Sequence, residues 1–331
     1  MDPVTHVLAA ATVAELAGAA GGAEGWALAA AAGASLAPDV DFLARRLGHL
    51  GLLRFHHTVT HSFVGVAALA ALWAGVLSLV GGVPWLVLAA FAGLGVLTHV
   101  GLDLILHNNG VMLFWPFSRR LIRGGWFLGL NPLTSSARCG ERKLGVCLVC
   151  QAHSVAFNRV TFIWLGTAAA AAALWPWRRW VCAAGVGVFA AYLIYKVVRR
   201  TGATRLARAA LGEGAVVFPA SFGARRWLAV AARDGGYATA TVDAQAGTVA
   251  PPVDHAPAPA ASVAATARLP SVGAFTENAI FPFAARPPDG APGVWWQDLS
   301  YAFTPDVVLH TLKIGLDAKG DVAAEEFRER W

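Results

Sequence analysis

Nine side chains able to bind a metal ion or move a proton stand at the edges of apolar runs: His6, Asp39, Asp41, His56, His57, His61, His99, Asp103 and His107. Phe55-His56-His57-Thr58-Val59-Thr60-His61-Ser62 opens one long apolar run, and Thr98-His99-Val100-Gly101-Leu102-Asp103 closes the next. His57 and His61 are four residues apart, as are His99 and Asp103, and His107 follows four further on. Residues at that spacing share a helix face. Two antiparallel helices would then set a His/His pair beside a His/Asp stripe at one end, which is how metal sites are built inside helical bundles. Mixed imidazole and carboxylate donors suit Zn²⁺, Mn²⁺ or Fe²⁺ better than Mg²⁺ or Ca²⁺, which prefer all-oxygen shells. Zinc is the first expectation, manganese and iron the alternatives, and the donors suffice for more than one ion. A metal-activated water in such a site supports in-line attack at phosphorus.

Each residue also has a plainer reading. A single histidine in an apolar segment is usually a packed or hydrogen-bonded residue. Asp103 resists that reading, because a carboxylate in an apolar helix costs roughly 2.5–3.5 kcal/mol at the bilayer centre and less towards the ends. The expected ligands are therefore His6, Asp39, Asp41, His61, His99 and Asp103, with His56 or His57 as a further ligand or general acid/base. His107 fits an ordinary interfacial residue equally well. Arg45, Arg46 and Arg54 suit an anionic substrate or simply mark the basic side of a membrane. Cys139, Cys147, Cys150 and His153 have donor types for a structural zinc, but their spacing is not that of a standard finger, and apolar packing explains them as well.

The elements that must position these residues are membrane spans. Of 331 residues, 56% are hydrophobic and 14% charged, against about 25% charged in soluble domains, and the mean hydropathy is +0.54. The net charge of +6 gathers in arginine clusters beside apolar runs, so it points to membrane topology and not to nucleic acid. Met1-Asp2-Pro3-Val4-Thr5-His6 lacks the basic start of a signal peptide, so no cleavage is expected. Residues 3–20 and 25–37 read as a short helical hairpin that returns Asp39 and Asp41 to the level of His6, with Pro38 ending its second arm. Residues 63–80 and 85–106 are charge-poor spans, and 160–177 and 180–198 two more, parted by Arg178-Arg179. Trp115-Pro116-Phe117 marks an interfacial turn, with a role in substrate contact as its alternative. The basic segments lie at the motif end, which should face the cytoplasm.

Beyond residue 212 the composition changes. Strands are expected at 215–218, 226–230, 237–242, 294–303 and 307–317, a flexible Pro/Ala linker at 250–261, and a short charged helix at 321–331. Trp295-Trp296 reads as core of this part. The expected fold is mainly α: a polytopic helical membrane bundle over residues 1–200, with a small α+β or mostly β soluble domain over 212–331 facing the cytoplasm.

His6, Pro38-Asp39-Val40-Asp41, His56-His57-Thr58-Val59-Thr60-His61-Ser62, His99-x3-Asp103 and Trp115-Pro116-Phe117 together resemble the YdjM-like family of inner-membrane metal-dependent hydrolases, described as LexA-binding. The likeness covers roughly residues 1–120. The family usually has Arg where His57 stands, and its longer members carry Asp-Leu-Arg-Tyr where this chain has Asp298-Leu299-Ser300-Tyr301. The resemblance implies a membrane-bound metal-dependent hydrolase. Through a distant similarity to zinc-dependent phospholipase C and P1-type nucleases, it also implies a phosphodiester or phospholipid substrate. The lipid bilayer is the expected partner, and no residues define a protein-binding surface. Two other classes compete: a non-enzymatic membrane protein with a structural or sensory metal and a partner-binding C-terminal domain, and a transporter with ion-coupled His and Asp. The transporter ranks third, because these residues lie at span ends and not at mid-membrane.

Overall fold

The computed structural model describes residues 3–18, 22–47, 55, 57–106, 110–122, 159–219, 225–233, 235–304, 307–308 and 310–329. Helices α1 (Pro3–Ala17) and α2 (Glu24–Ala34) form the short hairpin. Their alanines, among them Ala10, Ala30, Ala31 and Ala34, are fully buried and let the backbones approach closely. A 3-10 segment, Pro38–Leu47, follows. Helix α3 (Phe63–Gly81) starts where the Ser62 side chain accepts the Gly65 N–H at 3.0 Å and stops at Gly82, whose φ of 63° is left-handed. After α4 (Trp85–Leu106) come α5 (Arg159–Ala173), a 3-10 turn at Trp175–Trp177, and α6 (Arg178–Leu211).

Among the described residues, three helical stretches are long and apolar enough to cross a membrane: Phe63–Gly81, Trp85–Ile105 and Trp175–Leu211. The 19 residues of α3 rise about 28 Å at 1.5 Å each, close to the hydrocarbon thickness. The span expected at 160–177 is a shorter apolar helix that ends at Ala173, and the one expected at 180–198 is part of a helix continuing to Leu211. No proline interrupts α6 after it starts, so its helical pattern runs on past the apolar segment.

Glu15, an awkward residue for a lipid-facing helix, is neutralised inside the bundle. Arg178 Nε donates to its carboxylate at 2.6 Å and Arg178 Nη2 to Glu24 at 2.9 Å, while the guanidinium lies 4.2 Å from the Trp175 ring centroid. Closeness of α2 and α4 depends on Gly95, where an added Cβ would collide with the Ala31 carbonyl oxygen; at Gly93 nothing would be met. Gly95→Ala is therefore expected to cost about 1–3 kcal/mol through forced separation. Gly93→Ala should gain up to about 1 kcal/mol in helix propensity. Thermal unfolding of the two detergent-solubilised variants checks this opposition of signs.

The described residues fall into two compact units that part within α6, between Ile194 and Tyr195. In the second unit, Ala203, Ala207 and Leu211 of α6 pack on Trp227, Ala229 and Ala231 of an antiparallel sheet. Its strands run β1 (Val216–Pro219), β2 (Arg226–Arg233), β3 (Gly236–Asp243), β4 (Thr248–Val249), with β5 (Val253–His255) also on β3. Helices α7 (Ala260–Thr266) and α8 (Pro270–Asn278) follow. A second sheet has the order β11 (Val322–Glu329), β10 (His310–Leu316), β7 (Gly293–Asp298), β6 (Pro282–Ala285). Two short strands, β8 (Ala302–Thr304) and β9 (Val307–Val308), pair with each other. Of the Trp295-Trp296 pair only Trp296 is core, its indole N–H donating to Thr266 Oγ1 at 3.1 Å. Trp295 is half-buried on the opposite face of the strand, with Lys313 Nζ 3.8 Å from its ring centroid.

Two expectations fail here. The stretch 250–261 is no flexible linker: Val253–His255 pairs with β3, and the buried Ala258 donates its N–H to Ala284 at 2.7 Å. Prolines fit an extended sheet edge, where a missing N–H goes unused. The charged C-terminal segment is a strand and not a helix. Its side chains are mostly exposed on an edge that, among the described residues, pairs only with β10; Glu325 and Glu326 are exposed there, and the long pairing partner decides the conformation. The chain is thus a mainly α membrane bundle followed by a region of antiparallel sheets.

Candidate metal centre

Helix α4 supplies two buried groups one turn apart, His99 and Asp103, with Nε2 and Oδ2 3.1 Å from each other. The 3-10 segment supplies Asp39 and Asp41, the turn before α3 supplies His57 and His61, and α1 supplies His6. His57 and His61 do not share a helix face as their spacing predicts. Because Ser62 is the N-cap, the residues before it leave the helical conformation. His57 has a φ of 61°, a left-handed conformation that costs a non-glycine residue about 1 kcal/mol or more. Three bonds hold the turn in place: the His57 N–H donates to Asp41 Oδ2 at 3.0 Å, the Met112 N–H to the His57 carbonyl at 3.0 Å, and the Phe63 N–H to the Leu113 carbonyl at 2.9 Å.

Asp39, His61, His99 and Asp103 converge, with one donor atom from each lying within 4.8 Å of the others. His99 Nε2 is 3.2 Å from His61 Nε2, and Asp103 Oδ2 is 3.1 and 3.4 Å from those nitrogens. Asp39 Oδ1 lies 3.6 Å from His99 and 3.9 Å from His61. A tetrahedral ion with bonds of about 2.1 Å holds its donors about 3.4 Å apart, within this range.

Hydrogen bonding fixes which ring atoms face inward. His99 Nδ1 stands 2.6 Å from the Ser35 carbonyl, which only accepts, so Nδ1 carries the proton and a neutral ring turns the Nε2 lone pair to the centre. His61 Nδ1 stands 3.1 Å from Asp41 Oδ2, which also accepts the Thr60 hydroxyl at 2.8 Å. Two Nε2 lone pairs thus meet at 3.2 Å beside two carboxylates, an arrangement stable only around positive charge. Without a metal, a proton can supply it. Burial opposes charging His61, but hydrogen bonds and proximity to Asp103 and Asp41 outweigh it and raise its pKa to about 9.

The remaining expected residues surround this group. His6 stacks on His99 with ring centroids 3.8 Å apart, and its Nε2 lies 3.4 Å from Asp103 Oδ1. Close by, the hydroxyls of Thr5 and Thr161 meet at 2.5 Å and tie α1 to α5. His57 Nε2 is 3.8 Å from Asp103 Oδ2. Asp41 lies on the Nδ1 side of His61, outside the group of four. His56, His107, Arg54, Cys139, Cys147, Cys150 and His153 lie outside the described residues. Sequence reasoning missed Thr60 and the Ser35 carbonyl. Thr60 was discoverable as a hydroxyl next to His61, whereas a backbone carbonyl leaves no mark on residue identity. Asp41→Asn is expected to weaken metal binding about 10–100-fold by loosening His61, as read by competition with a chromophoric chelator.

Apolar spans with a buried His/Asp group at their ends define a polytopic membrane protein with a centre that could bind a metal ion. The chain matches the family model of the YdjM inner membrane proteins over residues 1–203, and it belongs to that family. No curated protein and no solved structure matches it.

Proposed function

We propose that this inner membrane protein is a metal-dependent hydrolase acting on a phosphoester or lipid-linked substrate. A divalent ion, zinc before manganese or iron, is held by Asp39, His61, His99 and Asp103. The reading rests on one observation: two imidazoles with their Nδ1 atoms committed to Ser35 and Asp41 turn their Nε2 atoms toward each other and toward two carboxylates. When bound, the ion supplies a Lewis acid that polarises a phosphoryl oxygen and lowers the pKa of water. His61, His99 and Asp103 form the tighter trio, at 3.1–3.4 Å. Asp39 is the looser member, its side chain 25% exposed, so substrate approaches from its side. His57, whose Nε2 lies 3.8 Å from Asp103 Oδ2, serves as general acid/base, an assignment His56 shares on sequence grounds. His6 and Asp41 complete the proposed ligand set, Asp41 through its hold on His61. The centre and a soluble domain at 212–331 face the cytoplasm, as the arginine distribution of the sequence suggests.

A second reading, a structural or sensory metal with a partner-binding C-terminal domain, draws on the four protein donors, the number found in closed zinc sites. Assays of the full chain with Zn²⁺ or Mn²⁺ on bis(p-nitrophenyl) phosphate and on dispersed phospholipid separate the two. Turnover that falls to background in His61→Ala supports the hydrolase. Retained metal without turnover on either substrate supports the second reading.

A further inference from the structure

The turn that carries His57 and His61 is bonded to a second turn, residues 110–118, and the pair presents an apolar ledge. Phe63 follows His61 by two residues and meets Phe114 edge-on, with ring centroids 5.5 Å apart. Phe55, Val59, Phe63 and Phe114 are all exposed, and Phe117 is 88% exposed. Leu113, between them, is buried in the bundle core, which anchors the ledge to the helices. Such a patch in water would be a liability, but here it continues into the outer surface of α3, where Val64, Leu72, Val76, Leu79 and Val80 are also exposed. Arg119 and Arg120 follow Phe117 within three residues, are exposed, and make no ion pair among the described residues.

An apolar ledge continuous with a lipid-facing helix, next to two free guanidinium groups, matches an amphiphile with acyl chains and an anionic headgroup. We propose that the ledge receives the acyl portion of an anionic membrane phospholipid, which enters the metal centre sideways from the bilayer while Arg119 and Arg120 hold its phosphate. This deepens the hydrolase reading and rests on it. A water-soluble phosphoester gains nothing from the ledge. A phospholipid gains the burial of a phenyl ring or more, worth about tenfold in affinity, and a bidentate guanidinium contact to its phosphate.

The test is native mass spectrometry of the full chain in non-ionic detergent, titrated with dihexanoyl phosphatidic acid or with glycerol 3-phosphate. Bound metal is counted in the same spectra. The wild type should prefer phosphatidic acid by about tenfold or more. The preference should shrink to about twofold in Phe114→Ser/Phe117→Ser, and affinity for both ligands should fall in Arg119→Gln/Arg120→Gln. Leu79→Ser, at the far end of α3, should keep the preference. Equal affinities in the wild type, or a preference unchanged in the Phe114/Phe117 variant, overturn the proposal. Bound metal retained in those samples would show the hydrolase centre standing without this substrate route, whereas its absence from the wild type would count against the centre itself.

Discussion

Replacing Asp103 with alanine is expected to weaken divalent-metal binding by more than the roughly 10–100-fold that loss of a supporting residue costs. Its two oxygens serve several groups at once: Oδ2 is 3.1 Å from His99, 3.4 Å from His61 and 3.8 Å from His57, and Oδ1 is 3.4 Å from His6. The alanine variant loses a ligand and also leaves these imidazoles, all buried, without the carboxylate between them. Breaking a buried pair in this way costs about 3–5 kcal/mol of stability. Asp103→Asn keeps the volume and removes the charge, so it should lose metal affinity with a smaller penalty in folding. Chelator competition reads the affinity, and thermal unfolding reads the stability. Added metal should raise the unfolding temperature of the wild type and leave that of Asp103→Ala unchanged.

The second large effect is on pH. His61 lies just before α3, and its pKa in the metal-free fold is raised from 6.5 to about 9. Protonated His61 contributes stability to the metal-free fold that is fully present below pH 6.5 and is lost as pH rises through about 9. Metal needs the same Nε2 free of its proton, so proton and metal compete. Apparent metal affinity should therefore rise about tenfold per pH unit up to about pH 8, more slowly towards pH 9 and flatten above, with about one proton released per ion bound at pH 7 and about half a proton at pH 9. Isothermal titration in buffers of different ionisation enthalpy reads the proton count directly. In His61→Ala this segment of the pH dependence should vanish. A flat profile in the wild type would mean that His61 is not the group displaced.

Much of the centre was legible because its residue types are costly where they stand. Asp103 in an apolar helix and the His/Asp pairs at span ends drew attention by chemistry alone, and the structure brings His61, His99, Asp103 and Asp39 within 4.8 Å of one another. The local route was not legible. Helical spacing predicted one face for His57 and His61, but the helix starts only after them, at the Ser62 cap, and bonds from Asp41 and Met112 shape the turn. The division of labour between Asp39 and Asp41 was also hidden, since two aspartates in Pro38-Asp39-Val40-Asp41 look alike until the path of the 3-10 segment is known. In the second unit, a reading from short runs bounded by turn signals found β1, β2 and β3, whose faces pack against α6. It failed for β5 and β11, where pairing with a neighbour overrides composition.

The converging histidines and aspartates are proposed to hold a divalent metal ion. The most direct measurement is the metal content of the detergent-purified full chain, by inductively coupled plasma mass spectrometry after metal reconstitution. The comparison is a folded His61→Ala/Asp103→Ala variant. At least about one zinc, manganese or iron ion is expected per wild-type chain and none in the variant. A folded wild type that takes up no metal, or a variant that retains as much as the wild type, would contradict it.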